Sequence, residues 1–276
     1  MSLFISSLNS GSNGNCYYVG NQHEAVLIDG GISRRETEKR MRRVGISMKK
    51  VKAIFISHEH GDHVHGIPSL AKKHQLCVYA SETTWRSGNI GLNDARIERF
   101  KAYEPVKIGN LSITAFPKLH DACDPHSFIV SSDSVTVGIF TDIGAPCQHV
   151  VNHFRQCHAA FLESNYDEEL LINGSYPAHL KQRIRGGKGH LSNTQAAELF
   201  VKHKPPFMSH LFLSHLSQEN NRPAIVQKLF RRIAGGTSIV IASRERETPL
   251  YHISNSLNPR PSSRNISPAL QLELFN

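Results

Sequence analysis

The stretch that decides the fold is Val51-Lys52-Ala53-Ile54-Phe55-Ile56-Ser57-His58-Glu59-His60-Gly61-Asp62-His63. Its apolar first half is typical of a buried β-strand, and polar side chains follow directly where that strand ends. Imidazole and carboxylate groups are the ligands that divalent metals such as zinc prefer. Gly61 is expected to relax the backbone so that these side chains turn toward one centre. A lone histidine is usually a core or surface residue, but this spacing favours a metal site.

Apolar runs bounded by turn residues predict further strands on both sides of this motif. The predicted strands are 3–8, 16–19, 25–28, 51–57, 76–80, 106–116, 127–130, 135–141, 159–162, 208–213, 238–242 and 250–252. Helical periodicity predicts helices over 34–44, 68–74, 168–171, 177–185, 193–203 and 222–233. This alternation indicates an α/β fold of two packed sheets with helices outside. We expect one domain over residues 1–254 and a flexible tail over 255–276.

The histidine motif resembles the signature of the metallo-β-lactamase superfamily, where two residues and a glycine follow it, here Val64-His65-Gly66. The resemblance implies a four-layer αββα sandwich that holds two divalent metal ions, zinc or manganese. It also implies three later ligands, and His120, Asp142 and His215 each follow a strand-like run as such ligands do. The implied ligands are His58, His60 and His120 for one metal, Asp62, His63 and His215 for the other, and Asp142 between them.

Around this motif the chain resembles the YycJ (WalJ) group of metallo-β-lactamase-fold nucleases from about Phe4 to His252. The similar segments are Asn9 to Asn15, His120 to Pro125, Glu163 to Asp167, Gly189 to Asn193 and Leu213 to Asn221. The resemblance implies a DNA exonuclease that acts from 5′ ends, by attack of a metal-activated hydroxide that Asp62 orients. The alternatives are an RNA-processing nuclease of the same fold and a hydrolase of small esters or thioesters. A nucleic-acid-binding module without activity is disfavoured because every implied ligand is present.

The candidate substrate contacts lie around a predicted helix start. His190 resembles the phosphate-binding histidine of related nucleases, and it is expected to contact a non-bridging oxygen or to assist the leaving 3′-oxygen. Ser192 or Asn193 is expected to cap the following helix, whose free N–H groups favour an anion. A basic run just upstream, beside two glycines, matches a mobile loop that grips the backbone of a nucleic acid. This run consists of Lys181, Arg183, Arg185 and Lys188. The alternative is a solvated helix face with a glycine C-cap.

Several polar residues near these ligands have two interpretations each. His65, His126 and Asp121 either orient ligand imidazoles or are ordinary polar packing. The loop from Ser10 to Asn15 either meets the substrate with its backbone amides or is a tight hairpin turn. The resemblance further suggests that Glu163, Asn165 and Asp167 support the site.

Composition limits the class of protein and its partners. Hydrophobic residues make up 39% and charged residues 20%, which excludes a disordered or fibrous chain. The net charge of +9 favours a polyanionic partner such as nucleic acid. No apolar run approaches the roughly 20 residues of a membrane span, and the start lacks a signal peptide, so we expect a cytoplasmic protein. The five cysteines show no paired spacing, which predicts buried free thiols.

The C-terminal end, Gln271-Leu272-Glu273-Leu274-Phe275-Asn276, places apolar side chains after a Ser- and Pro-rich stretch. This composition is typical of a short motif that enters a partner's pocket. It resembles the peptide by which bacterial polymerases and repair proteins hold the DNA sliding clamp, which implies a role in DNA repair. Gln271 would reach a polar subsite, and Leu272, Leu274 and Phe275 would contribute the apolar contacts. The alternative is that the tail docks on its own domain.

Overall fold

The computed structural model describes residues 2–88, 90–92 and 97–255. The strands in chain order are β1 (Leu3–Asn9), β2 (Cys16–Gly20), β3 (Ala25–Ile28), β4 (Val51–Phe55), β5 (Cys77–Ala80), β6 (Ile97–Arg99), β7 (Val106–Ile108), β8 (Leu111–Pro117), β9 (His126–Ser132), β10 (Val135–Phe140), β11 (Ala159–Glu163), β12 (His210–Ser214), β13 (Ser238–Ile241) and β14 (Tyr251–Ile253). The helices are α1 (Arg34–Arg43), α2 (Gly61–Val64), α3 (Ile67–His74), α4 (Glu82–Gly88), α5 (Gln148–Phe154), α6 (Glu168–Asn173), α7 (Ala178–Arg185), α8 (Asn193–His203) and α9 (Pro223–Ile233).

These strands form two seven-stranded sheets that pack face to face. One sheet has the order β14-β1-β2-β3-β4-β5-β6, and the other has the order β13-β12-β11-β10-β9-β8-β7. Each half of the chain therefore builds one sheet, and β14 returns to pair antiparallel with β1, with Leu3 opposite Ile253. The domain's two ends are thus joined in the same sheet.

Three apolar clusters give this sandwich its four layers. The cluster between the sheets includes Tyr17, Phe55, Phe128 and Phe161, which are fully buried. A second cluster packs α1 and α3 against the outer face of the first sheet. A third packs α5, α8 and α9 against the outer face of the second sheet. This is the αββα arrangement, which confirms the predicted fold class.

The structure corrects several local predictions. The strand predicted over 106–116 is a hairpin, because Gly109 adopts a left-handed conformation (φ 57°) that turns the chain between β7 and β8. The short elements β6, α2, α4 and α5 were not predicted. All five cysteines are free, but the prediction that they are buried is wrong for Cys77 and Cys123, which are exposed.

The predicted tail lies outside the described residues except for its first residue, Asn255. Within the described segments, no helix combines the length and the apolar character that crossing a membrane requires.

Candidate metal centre

The predicted ligands converge because their strands end at the same edge of the sandwich. The motif residues follow β4, whereas His120 follows β8, Asp142 follows β10 and His215 follows β12. In the second sheet β10, β11 and β12 run parallel, so their carboxyl ends meet at one edge. Asp142 and His215 both have left-handed backbone conformations (φ 54° and 56°), a strained state for residues other than glycine. Such strain is typical of functional loops.

The imidazole rings are oriented from their Nδ1 side. His58 Nδ1 lies 2.8 Å from Ser57 Oγ, and His63 Nδ1 lies 2.8 Å from Asp29 Oδ2. His120 Nδ1 lies 3.1 Å from the carbonyl oxygen of Gly189. An imidazole bonded through Nδ1 presents Nε2 on the other side of the ring, as metal-binding histidines do.

The Nε2 atoms provide the test of whether these residues fit a metal. Among the described residues, Nε2 of His58, His120 and His215 is buried without a hydrogen-bond partner. Buried polar atoms are rarely left unpaired, so their convergence calls for a shared partner. Divalent cations bound between these groups would satisfy such atoms, and the residues present therefore fit a metal.

Among the described residues, ligand-type atoms within 4.8 Å of one another form four overlapping groups, and two of these match the predicted division. One group contains His58, His60 and His120, and another contains Asp62, His63 and His215. Asp142 lies between them, with Oδ2 at 3.2 Å from His63 Nε2 and Oδ1 at 4.0 Å from His120 Nε2. The structure thus brings together all seven predicted ligands, and their assignment as ligands stays a prediction.

Burial and neighbouring charges set the protonation states. Burial lowers the pKa of His58 well below its ordinary value and that of His120 to about 4, so both rings are neutral, as ligands must be. Burial alone would also lower the pKa of His63. The neighbouring carboxylates, of which Asp142 has the largest effect, outweigh burial and raise the pKa to about 10. A pocket that favours a proton so strongly also favours a metal cation.

Glu163, at the end of β11, connects two of the predicted functional histidines. Its Oε1 accepts from His190 Nδ1 at 2.8 Å and from His215 Nδ1 at 3.0 Å. Its Oε2 accepts from the backbone N–H groups of Ile143 and Leu191 at 2.6 and 3.2 Å. The carboxylate is completely buried and fully hydrogen-bonded. It orients both imidazoles, in line with the supporting role that the resemblance suggested.

The basic run upstream of His190 forms helix α7 and the turn after it. Arg183 Nε donates to Asp121 Oδ2 at 2.6 Å, and Asp121 Oδ1 lies 3.4 Å from His120 Nε2. The helix ends at Gly186, so the run has the helical form and the glycine C-cap of the alternative interpretation. Through Asp121 it nevertheless reaches the metal centre. The side chains of Lys181, Arg183, Arg185 and Lys188 are at least partly exposed.

Ser192 and Asn193 are both hydrogen-bonded within the protein. Ser192 caps α8 in a reciprocal capping box with Gln195, which occupies its hydroxyl and its N–H. Asn193 is buried, its N–H donates to the Tyr166 carbonyl, and its side chain bonds Ser164 and Asn221. Ser192 is thus the N-cap, as one of the two predicted candidates, and contact of Ser192 and Asn193 with a phosphate stays a prediction.

The open interpretations are decided case by case. Asn165 donates to the His215 carbonyl at 2.8 Å and supports the site, whereas Asp167 caps α6. His126 bonds the Asp124 carbonyl and packs on Phe100, which is ordinary polar packing. His65 is exposed at the end of α2.

The loop from Ser10 to Asn15 is part of the site's framework. Asn15 Nδ2 lies 3.3 Å from Asp62 Oδ2, and Ser10 Oγ accepts from the backbone N–H of His215 at 2.8 Å. A Cβ at Gly61 would meet no atom within 4 Å, so a close contact does not require glycine there. The backbone at Gly31 does require glycine, because a Cβ there would lie 1.7 Å from the Asp62 carbonyl oxygen.

Sequence reasoning missed two buried polar residues behind the ligands. Asp29 accepts from Ser57 and His63, and it begins the Asp29-Gly30-Gly31 segment that follows β3. Its position directly after a strand was the available signal. Lys118 is buried, and its Nζ donates to the Thr141 carbonyl at 2.7 Å, beside Asp142. No pattern in the sequence marked Lys118.

Comparison with known proteins gives consistent matches. A family model described as the beta-lactamase superfamily domain matches residues 24–215. The exodeoxyribonuclease YycJ of Bacillus anthracis is 33% identical over 226 residues, which cover 80% of this chain and 85% of that protein. The exodeoxyribonuclease WalJ of Streptococcus pneumoniae is 32% identical over 223 residues, which cover 78% of this chain and 82% of that protein.

Among solved structures, the metallo-beta-lactamase fold protein YhfI from Bacillus subtilis matches with a TM-score of 0.70. The match covers 91% of this chain and all of that chain at 15% identity, so it concerns the fold alone.

Proposed function

Because the chain belongs to the beta-lactamase superfamily, in the group of the YycJ and WalJ exodeoxyribonucleases, we propose that it is a DNA exonuclease that acts from 5′ ends. Membership makes the chain a metal-dependent hydrolase. The finer proposal is supported by the names of two relatives and by the site itself. The observation that carries it is the convergence of unpaired Nε2 atoms on Asp142 beside an exposed basic helix.

We further propose two divalent ions, zinc or manganese. His58, His60 and His120 would hold one ion, Asp62, His63 and His215 would hold the other, and Asp142 would contact both. Two such ions supply an activated hydroxide and stabilise the attacking and leaving oxygens of a phosphodiester. The chain's own contribution is to fix the ligands through Ser57, Asp29 and Glu163.

His190 is the residue best placed to act on the substrate directly. Its Nδ1–H donates to Glu163, and the ring is partly exposed, which leaves Nε2 for the substrate. From there it would hold a non-bridging oxygen or transfer a proton to the leaving 3′-oxygen. Glu163 would stabilise the positive charge of the ring, because its own carboxylate stays ionised. Burial alone would raise the pKa of Glu163, but His190 and His215 outweigh burial and lower the pKa to about 2.

The exposed basic side chains of α7 would hold the sugar-phosphate backbone. Arg183 already bonds one carboxylate, Asp121, next to the metal centre, and its side chain is 61% exposed. A phosphate could take the place of that carboxylate, since arginine binds both groups in the same way. The net charge of +9 supports a polyanionic substrate.

The test is to incubate the protein with 5′-phosphorylated DNA, RNA of the same sequence and a thioester, each with zinc or manganese. We expect progressive loss of nucleotides from the 5′ end of DNA, and steep weakening by salt because phosphate contacts release counterions. Activity on RNA alone would replace this proposal by an RNA-processing nuclease. Thioester turnover alone would overturn both nuclease proposals.

We also propose that residues 271–276 bind the bacterial DNA sliding clamp. The support is the motif itself, together with the gain in local concentration at DNA ends that a tethered clamp contact would bring. We expect the full-length protein to bind purified clamp, and a double variant with alanine at Leu274 and Phe275 to lose binding while its nuclease activity persists. Equal binding by both proteins would contradict this interpretation.

A further inference from the structure

A cavity of about 360 Å³ lies beside the metal centre, on the side of His215. The chain that follows β12 forms one wall, and the chain around the end of β13 forms the other. Ser10 also lines the cavity, and its Oγ accepts from the N–H of His215 at 2.8 Å. The cavity therefore shares a wall with the catalytic centre, and its volume lies within the range of small-molecule sites.

Two arginines, Arg222 and Arg244, line this cavity. Arg244 donates to Gln218 Oε1 at 2.8 Å and to the Leu216 carbonyl at 3.2 Å, which fixes its guanidinium. Arg222 donates to backbone carbonyls, including that of Asn221 at 2.7 Å. These partners are neutral, so both arginines bring positive charge to the cavity, and Glu245 is the only carboxylate among its lining residues. The cavity thus favours an anion.

The other part of the lining is apolar. Leu216, Pro223, Ile241 and Ala242 contribute it, and Leu216 and Ala242 are themselves buried. Helix α9 starts at Pro223, which lines the cavity, and the side chain of its N-cap residue Arg222 makes no capping hydrogen bond, so the positive end of the helix adds to the attraction for an anion. An apolar wall with fixed guanidinium groups suits a planar base joined to a phosphate.

We propose that this cavity binds one nucleotide unit of the substrate strand, next to the phosphodiester that is cleaved. This inference rests on the proposed function and extends it. Helix α7 approaches the centre on the side of His120, through Arg183 and Asp121, whereas the cavity lies on the side of His215. The strand would therefore cross the metal centre from one basic surface to the other, with the base against Leu216 and a phosphate on Arg244.

Arg244→Ala is the decisive variant, with Arg244→Lys to restore the charge. Arg231→Ala is the matched control, because Arg231 is an exposed arginine in the last turn of α9 that does not line the cavity. The substrates are a 5′-phosphorylated single-stranded DNA and the small diester bis(p-nitrophenyl) phosphate. We expect Arg244→Ala to lower kcat/KM on DNA about tenfold relative to the small diester, mainly through KM. Arg244→Lys should recover part of the loss.

Salt dependence separates substrate binding from a purely structural role. Loss of one phosphate contact should make the plot of log kcat/KM against log salt shallower by about 0.7. An unchanged slope, or an equal loss on DNA and on the small diester, would overturn the proposal, since Arg244 would then only hold the loop that carries His215. Arg231→Ala should match the wild-type protein throughout.

A competition assay distinguishes failure of this inference from failure of the proposed function. Thymidine 5′-monophosphate should inhibit hydrolysis of the small diester, and Arg244→Ala should weaken that inhibition about tenfold. If the wild-type protein leaves DNA intact, the exonuclease proposal fails. The inhibition constants of thymidine 5′-monophosphate would still show whether the cavity binds a nucleotide. Equal inhibition of wild type and Arg244→Ala would overturn the cavity's assignment.

Discussion

Replacing Glu163 by glutamine tests how the metal centre is held in place. The carboxylate accepts four hydrogen bonds, two from the imidazoles of His190 and His215 and two from the backbone N–H groups of Ile143 and Leu191. Glutamine has nearly the same shape, but one of its two terminal atoms is an NH2 donor. Either the two imidazoles or the two backbone N–H groups would therefore face the NH2 group, which is a donor and not an acceptor.

The magnitude follows from the charge and the burial of this group. Burial on its own would raise the pKa of Glu163, but His190 and His215 outweigh it and lower the pKa from its ordinary value of 4.5 to about 2. That difference corresponds to about 3 kcal/mol in favour of the ionised carboxylate. Leaving a buried donor unpaired costs about 1–3 kcal/mol. We expect Glu163→Gln to lower the free energy of unfolding by about 4–6 kcal/mol, which is the sum of these two contributions.

The sign of the pH dependence follows from the lowered pKa. A carboxylate with a lower pKa in the folded state contributes stability above the unfolded value, and this contribution is lost as the pH falls through the folded value. The stability difference between wild type and Glu163→Gln should therefore be constant above pH 4.5 and shrink toward pH 2. Because His190 and His215 also lose their orientation, turnover should fall about 10- to 100-fold.

The assay is urea unfolding followed by the fluorescence of the single tryptophan, combined with metal analysis and turnover. Glu198→Gln is the matched control, because Glu198 forms an exposed ion pair with Lys202 at 3.0 Å. The control should change stability by less than about 0.5 kcal/mol. If Glu163→Gln behaves like this control in stability and turnover, the assigned role of Glu163 is wrong.

Three further predictions test other parts of the structure. His58→Ala should lose the metal ion of the first ligand group and retain the other, as measured by mass spectrometry of bound metals; full metal content would contradict the assignment. Gly31→Ala should destabilise the protein by about 2–3 kcal/mol, because its Cβ would overlap the Asp62 backbone. Gly61→Ala, whose Cβ meets nothing within 4 Å, should cost less than about 0.5 kcal/mol in the same unfolding assay, and equal losses would refute the steric argument. Cys77 and Cys123 should react quickly with a thiol reagent in the native protein, whereas the buried thiols should react only after unfolding, which a stopped-flow trace of released chromophore would show.

The sequence by itself determined the fold class and which residues converge on the candidate metal centre. His58, His60, Asp62 and His63 are close in the chain and follow one apolar strand, so local pattern alone reveals them. His120, Asp142 and His215 were identified through the resemblance to the superfamily, and each follows a strand-like run in the sequence. Strand periodicity and ligand chemistry are properties that short segments carry on their own.

Only the tertiary structure decided what holds these ligands in place and what lies beside them. Glu163 bonds histidines that are 27 and 52 positions away in the chain, and Asp29 bonds one that is 34 positions away. No local pattern predicts such pairs. The same holds for Gly31, whose contact with the Asp62 backbone exists only once the loops are packed. The cavity next to His215 is lined by Arg222 and Arg244, which follow the neighbouring strands β12 and β13. Orientation, burial and cavities arise from packing between distant segments, and that packing is what the linear sequence leaves open.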